Sequence, residues 1–310
     1  MTGTLEPVDY SVVIPAYNAE RTLGSVLDAL ARQQHPPAEV IVVDDLSSDG
    51  TAALAEEHGA HVVRAAHRLH AGGARNRGWA EARAGTVVFL DSDAVPADDW
   101  SVGVERAVRE FPGAVIGCAR TFAPRTRWGW VAHLQVETPY LPRGVPRETP
   151  FVSSYCMAVP AGLAVRFDES YGGEDALFCL DAHTAGARLV FDPRYSAFHD
   201  HERASFAALR SQQDRLAYGL ARLGAVQREG LSKRIVSRLP LHYFLLLRLP
   251  VLYRRLDDDA ALRRRFVRLL PLLAVAEWSL GVSALRYVLR RPPLRHAAAS
   301  VGGQGMVGAR

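Results

Sequence analysis

Short runs of apolar, β-branched residues alternate with amphipathic stretches along the first two hundred residues of the chain. The predicted strands are bounded by Pro, Gly or Asp and lie at about 10–15, 39–43, 61–63 and 86–90. Helix-forming composition and apolar residues at helical spacing place helices between them, at 19–33, 52–58 and 73–84. Strands and helices that alternate at this length predict right-handed βαβ units, and therefore a mostly parallel sheet flanked by helices.

The alternation continues less regularly up to about residue 202. A helix at 97–110 and a strand at 114–118 precede residues 120–150, a proline-rich stretch predicted to form a long, partly helical loop. The remaining predicted elements of this part are strands at 155–159, 189–191 and 196–198, and a helix from Glu174 to about 185.

The most informative strand is Thr86–Leu90, which is apolar or β-branched without alternation and is followed by Asp91-Ser92-Asp93. A continuous run of this kind predicts a strand covered on both faces, and such strands place ligands at their carboxyl ends. Two aspartates two residues apart at that position can hold a hard divalent cation, and through it a phosphate. The alternative is that they only cap the helix that follows.

Two further pairs of acids follow predicted elements. Asp44-Asp45 ends the second strand, where a helix cap is again the alternative interpretation. Glu174-Asp175 opens a helix after Gly172-Gly173, so that both carboxylates lie at the positive end of the helix, which is expected to lower their pKa. Simple N-capping is the alternative for this pair as well.

Composition is that of an ordinary globular protein, with 48% apolar and 23% charged residues. Cys118, Cys156 and Cys179 lie in apolar surroundings without a C-x-x-C spacing, which predicts buried free thiols in a reducing compartment. The first ten residues contain neither a basic nor an apolar region, so no signal peptide is predicted.

Charge is distributed unevenly and divides the chain in two. Residues 1–202 carry 17 arginines and 27 acidic residues, whereas residues 203–310 carry 20 basic and 6 acidic residues. An acidic first part and a basic second part are expected to meet different partners, so residues 1–202 are predicted to form one domain and residues 203–291 an Arg- and Leu-rich helical extension. Residues 292–310 are predicted to be a disordered tail. Nucleic-acid binding is not favoured, because the arginines alternate with leucine rather than with exposed aromatic residues or glycine.

The extension contains two strongly apolar stretches, at 239–253 and 266–289. Within the second, the 17 residues from Leu269 to Leu285 include one charge, Glu277, which is slightly short for a bilayer core of ~30 Å. Arginines flank this stretch on both sides. Two interpretations remain open: helices packed on the catalytic domain, or interfacial helices whose arginines meet the anionic headgroups of a membrane. A full membrane span is less favoured.

Several motifs in a fixed order resemble those of the family 2 glycosyltransferases of GT-A fold. They are SVVIPAYNAERTL, VIVVDDLSSDGT, GGARNRGWAEARAG, VVFLDSD and GGEDALFCL, with a histidine after the last strand, over residues 10–201. The resemblance implies a GT-A nucleotide-diphospho-sugar transferase fold with a helical C-terminal extension. It also implies an inverting transfer from a nucleoside diphosphate sugar to a hydroxyl acceptor.

The resemblance assigns the donor side of the site to the ends of the first strands. Tyr17 corresponds to the ring that lies against the base, and Pro15 and Ala16 frame it with their backbone. Asp45 corresponds to an acceptor for the base or ribose, whereas Asp44 is expected to be structural. The remaining donor-side residues implied by the family are Arg75 and Asn76 near the base and diphosphate, and Asp91 and Ser92 of the D-x-D motif. Leu46 departs from the glycine usual at its position.

The resemblance also assigns the metal and the base. Asp93 and His199 correspond to ligands of Mn²⁺ or Mg²⁺, with His201 as the alternative histidine. Asp175, preceded by Glu174, corresponds to the general base that deprotonates the acceptor hydroxyl. The expected acceptor is a lipid-linked or other glycan precursor of the cell envelope, and the expected location is the cytoplasmic face of the membrane, through its anionic surface. The two other functions considered are a nucleotidyltransferase of sugar phosphates, against which the lack of a Lys-containing Gly-rich loop argues, and a non-catalytic membrane-docked scaffold.

Overall fold

The computed structural model describes residues 8–170, 172–199, 203–226, 246–256 and 259–290. The predicted tail at 292–310, His201, and residues 239–245 of the first apolar stretch lie outside the described residues. Within the described part, the strands form one nine-stranded sheet with helices on both faces.

The first half of the sheet is parallel, as the alternation of elements predicts. Its strands are β1 (Tyr10–Ala16), β2 (Glu39–Asp44), β3 (His61–Arg64) and β4 (Thr86–Leu90). They are ordered β3-β2-β1-β4, so that the carboxyl ends of β1, β2 and β4 meet at one edge. All five residues of β4 are buried, which confirms that this strand is covered on both faces.

Helices connect these strands close to the predicted positions. They are α1 (Glu20–Ala31), α2 (Thr51–Glu57), α3 (His70–Glu81) and α4 (Trp100–Glu110). The apolar stripe of α1 is buried against the sheet, as its spacing predicts. Helix α3 begins three residues earlier than predicted and ends at Glu81, because the backbone of Ala82 is already extended.

The second half of the sheet is mixed rather than parallel. Its strands are β5 (Ala94–Pro96), β6 (Val115–Thr121), β7 (Arg147–Glu148), β8 (Cys156–Pro160) and β9 (Leu189–His199). Strand β8 runs antiparallel to both β4 and β6, whereas β6 and β9 are parallel. The predicted parallel pairing therefore holds throughout the first four strands and again between β6 and β9, whereas β8 is antiparallel to its neighbours.

Strand β9 is one continuous strand, so the prediction of two short strands was wrong. Asp192-Pro193-Arg194 reads as a turn in the sequence, but the pairing with β6 continues beyond it after a register shift between Cys118 and Ala119. A bulge absorbs the proline within the strand, which is where a strand tolerates it. As a result, β9 extends to His199 at the same edge as β4.

The proline-rich segment is partly helical, as predicted. Its pieces are α5 (Arg127–Ala132), a π-helical turn (His133–Glu137) and a 3-10 turn (Thr138–Tyr140). The Thr126 hydroxyl caps α5 by accepting from Gly129 N–H at 3.0 Å. The three cysteines are buried free thiols, as predicted.

Four more helices complete the described structure: α6 (Glu174–Thr184), α7 (Phe206–Val226), α8 (Arg248–Arg254) and α9 (Ala260–Arg290). Helices α7, α8 and α9 pack with α5 around a separate apolar core. A buried polar seam joins them, in which Gln135 bonds both Gln213 and the fully buried Glu277 at 2.9 Å, and Arg248 lies 3.2 Å from Glu277.

The seam confirms the packed-helix interpretation for one face of α9. By length and composition, Ala260–Tyr287 is long and apolar enough to cross a membrane, although the core helix of a soluble protein also meets that criterion. Its one acid, Glu277, is engaged with the catalytic domain instead, which argues against a span.

Candidate active site

Asp91, Asp93 and His199 come together at the carboxyl edge of the sheet. Pairing of Ala94 in β5 with His199 in β9 brings the histidine beside the acids, with Nε2 3.1 Å from Asp93 Oδ1. One ligand atom from each of the three residues lies within 4.8 Å of the others. The acids do not cap α4, which begins at Trp100 after the intervening strand β5.

This donor set fits a hard divalent cation. At metal–oxygen bonds of about 2.1 Å, the ligands of one octahedral ion lie roughly 3 to 4 Å apart, which the three side chains can reach. Two carboxylates and one imidazole suit Mn²⁺ or Mg²⁺ better than a thiolate-seeking metal.

An aromatic and cationic column supports His199. The imidazole stacks on Tyr155 at a centroid distance of 5.6 Å and an interplanar angle of 21°. The guanidinium of Arg120 lies 3.9 Å from the Tyr155 ring centroid and forms a buried ion pair with Glu137 at 2.6 Å. Sequence reasoning missed Arg120, Tyr155 and Glu137, because contacts between residues far apart in the sequence leave no periodic pattern of residue types.

Arg75 links the acids after β4 to those that open α6. It is buried, with Nη2 2.7 Å from Asp91 Oδ1 and Nη1 3.4 Å from Glu174 Oε1. An arginine fork between two carboxylates fixes the position of both, and the two carboxylates offset its positive charge.

Asn76 makes structural hydrogen bonds, and its expected place near the base and diphosphate stays a prediction. Its side chain donates to Phe167 C=O at 2.8 Å and accepts from Phe167 N–H at 2.9 Å. The amide therefore ties α3 to the loop before α6.

The residues predicted to hold the nucleotide surround the ends of β1 and β2. Pro15 and Ala16 end β1, and Ala16 C=O accepts from Asp45 N–H at 2.8 Å. Tyr17 is half exposed, and the Arg68 guanidinium lies 3.3 Å from its ring centroid. Arg68 also lies 3.1 Å from Asp45 Oδ2, so this arginine, which sequence reasoning missed, joins both residues.

The Asp45 carboxylate has a structural role in addition to any ligand contact. Its oxygens accept from Leu69 N–H at 2.6 Å and His70 N–H at 3.0 Å, at the start of α3. A carboxylate offers about four lone pairs, so one further donor from a base or ribose can be accepted. Leu46 and His70 both have positive φ, 62° and 58°. This backbone conformation is strained for residues other than glycine, and such strain clusters at functional sites.

Asp175 is the second residue of α6, and the residue before the helix, Gly173, has a left-handed backbone conformation with φ 80°. Burial and, to a smaller extent, the Glu174 carboxylate raise the pKa of Asp175 to about 7, against the opposing effect of the Arg75 guanidinium. The sequence-based expectation of a lowered pKa was therefore wrong for Asp175, because desolvation outweighs the helix terminus.

A cavity of about 1370 Å³ opens beside Asp175. Its walls come from α6, from α7 of the C-terminal extension, and from the segment around Tyr140, with Leu280 of α9 contributing at one side. The extension is therefore part of the candidate active site.

Helix α7 contacts the loop that leads into α6, directly before Asp175. A Cβ placed on Gly219 would lie 2.9 Å from Gly173 Cα, so the two backbones touch directly. Arg222 is buried and donates to Gly172 C=O and to Asp168 Oδ1, each at 2.7 Å. These contacts define the position of Asp175, and they were not visible in the sequence.

Gly219→Ala is expected to lower kcat about tenfold and to destabilise the protein by about 1–3 kcal/mol. The added methyl group would clash with the backbone of Gly173, which cannot move aside as a flexible side chain could. Thermal unfolding and initial rates measure both effects. Gly24→Ala in α1 is the matched control, since its nearest neighbour is a Leu54 methyl at an ordinary 3.7 Å. Equal behaviour of the two variants would contradict this role of α7.

Comparison with known proteins agrees with this architecture. Residues 11–164 match the family described as Glycosyl transferase family 2. The chain belongs to glycosyltransferase family 2 and has the GT-A fold.

Individual relatives share parts of the chain. It is 38% identical over 104 residues to the amylovoran biosynthesis glycosyltransferase AmsB of Erwinia amylovora, which is 31% of this chain and 33% of the relative. It is 30% identical over 210 residues to the pre-mycofactocin glycosyltransferase of Mycobacterium tuberculosis, which is 62% of this chain and 43% of the relative. The chain thus spans less than half the length of either relative.

A solved structure extends the similarity to most of the chain. The mannosyltransferase PcManGT from Pyrobaculum calidifontis, in complex with GDP-Man and Mn²⁺, superposes with a TM-score of 0.64 at 18% identity. The match covers 91% of this chain and 87% of that one. At this identity the similarity demonstrates the fold.

Proposed function

We propose that the protein transfers a sugar, with inversion, from a nucleoside diphosphate sugar to a hydroxyl of a cell-envelope glycan precursor. The proposal rests on Arg75, which forms ion pairs with both Asp91 and Glu174. Asp91 belongs to the group with Asp93 and His199, and Glu174 is next to Asp175 in the chain. One cleft thereby contains a cation site, a diphosphate partner and a base. The occurrence of a relative in amylovoran biosynthesis supports the envelope assignment.

The side chains divide the work between the donor and the acceptor. Tyr17 and Asp45 hold the base and ribose, Asp91 contacts the ribose or a metal-bound water, and Arg75 orients the diphosphate. Asp93 and His199 would hold Mn²⁺ or Mg²⁺, which when bound supplies charge neutralisation of the leaving diphosphate. Asp175 takes the proton from the acceptor hydroxyl as that oxygen attacks the anomeric carbon in line.

The proposal is tested by turnover of UDP-, GDP- and dTDP-sugars by the full-length protein with Mn²⁺ and with a chelator. Release of the nucleoside diphosphate is expected with one of these donors, and the chelator is expected to abolish it. Release of pyrophosphate from a nucleoside triphosphate, without sugar transfer, would favour a nucleotidyltransferase instead.

The rate of transfer is expected to rise with pH through a midpoint near 7, because the base acts in its ionised form and burial raises the pKa of Asp175 to about 7. Activity is therefore present above this pKa and is lost as the pH falls through it. In Glu174→Gln the midpoint is expected to move to lower pH, since a charge that raises the pKa is removed. A profile that is flat between pH 5 and 8 would argue against Asp175 as the base.

The protein is further proposed to act at the cytoplasmic face of the membrane, through the outer face of α9. Exposed apolar residues recur there every three to five positions: Val267, Leu270, Val275, Trp278, Val282, Leu285 and Leu289. Exposed arginines lie at both ends of this apolar stripe: Arg264, Arg265, Arg268 and Arg286. An apolar face bordered by arginines fits an anionic surface, with ~1 kcal/mol per arginine.

Trp278→Glu combined with Val282→Glu is expected to release the protein from vesicles that contain anionic lipid, as measured by co-sedimentation. Both residues are exposed, so the fold is expected to be retained. Val145→Glu, at a residue 74% exposed outside the stripe, is the control. Point variants are preferable to truncation after residue 235, which would also remove the helices packed on Val131 and Leu209. Unchanged binding of the double variant would contradict this surface.

A further inference from the structure

The Arg68 side chain lies in the place that the proposed function gives to the base of the nucleotide. Its guanidinium is 3.3 Å from the centroid of the Tyr17 ring and 3.1 Å from Asp45 Oδ2. A base that stacks on Tyr17 and also hydrogen-bonds to Asp45 has to lie on the face of the ring that faces this carboxylate, which is where the guanidinium lies. The guanidinium and the ring are in contact, so a base cannot fit between them.

The guanidinium makes the same two kinds of contact that a base would make there. It is planar and stacks on an aromatic face, and its N–H groups pair with a carboxylate. Arg68 donates in addition to Asp45 C=O at 2.7 Å. The free protein therefore already satisfies the Tyr17 ring and the Asp45 carboxylate, and a base has to compete with Arg68 for both.

Only the side chain of Arg68 has to move for the base to enter. Arg68 lies in the short connection between β3 and α3, and the backbone is anchored on both sides of it. Ala65 N–H donates to the last residue of β2 at 2.9 Å, and the N–H groups of Leu69 and His70 donate to the Asp45 carboxylate. The Arg68 side chain is 38% exposed, so it can leave the ring for solvent while this backbone stays in place.

We propose that Arg68 is a displaceable occupant of the base site, which closes the site in the free protein and has to leave the Tyr17 ring when the donor binds. This proposal rests on the proposed function, because it concerns the same base site. The apparent affinity for the nucleotide is then reduced by the fraction of the protein in which the site is open. Cation–π contacts and ion pairs at partly exposed positions are individually weak, so the open fraction is on the order of one tenth to one third.

The test is the affinity of the full-length protein for a nucleoside diphosphate with Mn²⁺, measured by titration calorimetry with UDP, GDP and dTDP. Arg68→Ala is expected to bind the nucleotide about three- to tenfold more tightly than the unaltered protein, because its site is always open. Arg68→Lys is expected to bind about two- to threefold more tightly, because an ammonium keeps the charge but not the planar fork. Weaker or unchanged binding by Arg68→Ala would overturn the proposal. A loss in Arg68→Ala that Arg68→Lys restores would identify an electrostatic contact with the nucleotide, and would overturn it too.

Binding kinetics separate an occupant of the site from a contact with the ligand. In Arg68→Ala the gain is expected in the association rate constant, with the dissociation rate constant unchanged within about twofold, because Arg68 does not contact the bound base. Stopped-flow mixing measures both rate constants. A gain that comes from slower dissociation would contradict the displacement of Arg68.

Arg77→Ala is the matched control for Arg68→Ala. Arg77 lies on α3, is 55% exposed and pairs with Glu81 at 3.1 Å, so its removal also deletes one positive charge and one ion pair. Its nucleotide affinity is expected to stay within about twofold of that of the unaltered protein. An equal gain in Arg77→Ala would show that the effect does not arise at the base site, and the proposal would fail.

The same samples separate this proposal from the proposed function. Nucleotide binding by the unaltered protein without any gain in Arg68→Ala would overturn the displacement of Arg68 alone. Absence of binding for all three nucleotides, in the unaltered protein and in Arg68→Ala alike, would overturn the proposed function itself.

Discussion

Asp175→Asn is expected to lower kcat for sugar transfer by about 10²- to 10⁴-fold, while affinity for the donor changes little. Asparagine keeps the size of the side chain but cannot accept the proton of the acceptor hydroxyl. Asp175 already has a pKa of about 7, raised by burial, so it is unusually well matched to proton abstraction at neutral pH. Steady-state rates and donor binding, measured on the same preparation, separate the two effects.

Asp181→Asn is the control for this variant, because it removes a carboxylate from the same helix outside the cavity lining. Its rate is expected to stay within about twofold of the unaltered protein. Comparable activity of Asp175→Asn and the unaltered protein would exclude Asp175 as the base. The cavity would then require another proton acceptor, for which Glu174 is the nearest carboxylate.

Asp93→Ala is expected to reduce transfer by about 10²- to 10³-fold and to abolish the effect of added Mn²⁺ on donor binding. Asp93 and His199 lie 3.1 Å apart, and the proposed cation site loses one of its two carboxylates in this variant. The loss should appear in the donor half of the reaction, as a weaker affinity for the nucleoside diphosphate in the presence of metal.

Asp98→Ala is the control for Asp93→Ala, because Asp98 is an exposed acid five residues further along the same segment. It is expected to behave as the unaltered protein does. Activity of Asp93→Ala that equals this control, with and without a chelator, would contradict the assignment of a cation to this group.

The place of the acids at the carboxyl edge of the sheet could be predicted from the sequence because these residues follow short buried strands. A continuous apolar run such as Thr86–Leu90 predicts burial on both faces, and in a parallel sheet the carboxyl ends of such strands lie together. This reasoning is sufficient to expect Asp45 near Asp91, without any knowledge of side-chain contacts. The motif resemblance then added the expectation that His199 joins Asp93.

The surroundings of Asp175 could not be predicted in the same way. Gly173 and Gly219 touch because two backbones approach each other, and a glycine in a helix has the same sequence signature whether it packs closely or faces solvent. Pro193 read as a break between strands, whereas the pairing of β6 with β9 absorbs it in a bulge. Asp175 was expected to have a lowered pKa because the helix terminus is visible in sequence and the burial that outweighs it is not.

The same limitation applies to the helical extension. Because the extension is rich in both apolar residues and arginine, two alternatives remained open from the sequence: packing of its helices on the first domain, or binding of its helices to a membrane. The structure shows that the faces of α9 differ: Glu277 is buried in a polar seam with Gln135, whereas Trp278 beside it is 56% exposed. One turn of this helix therefore contains both a buried polar residue and an exposed apolar one, and the overall composition of the segment does not distinguish them.

The central claim, a metal-dependent nucleotide-sugar site at Asp91, Asp93 and His199, is tested most directly by thermal unfolding with UDP-, GDP- and dTDP-sugars, each with and without Mn²⁺. A ligand at 100 times its dissociation constant stabilises a protein by ~2.7 kcal/mol, which shifts the Tm of a domain of this size by a few degrees. One donor is expected to raise the Tm in the presence of Mn²⁺, and to lose that effect with a chelator or in Asp93→Ala. A Tm that no donor changes, or that a donor raises equally in Asp93→Ala, would contradict the claim.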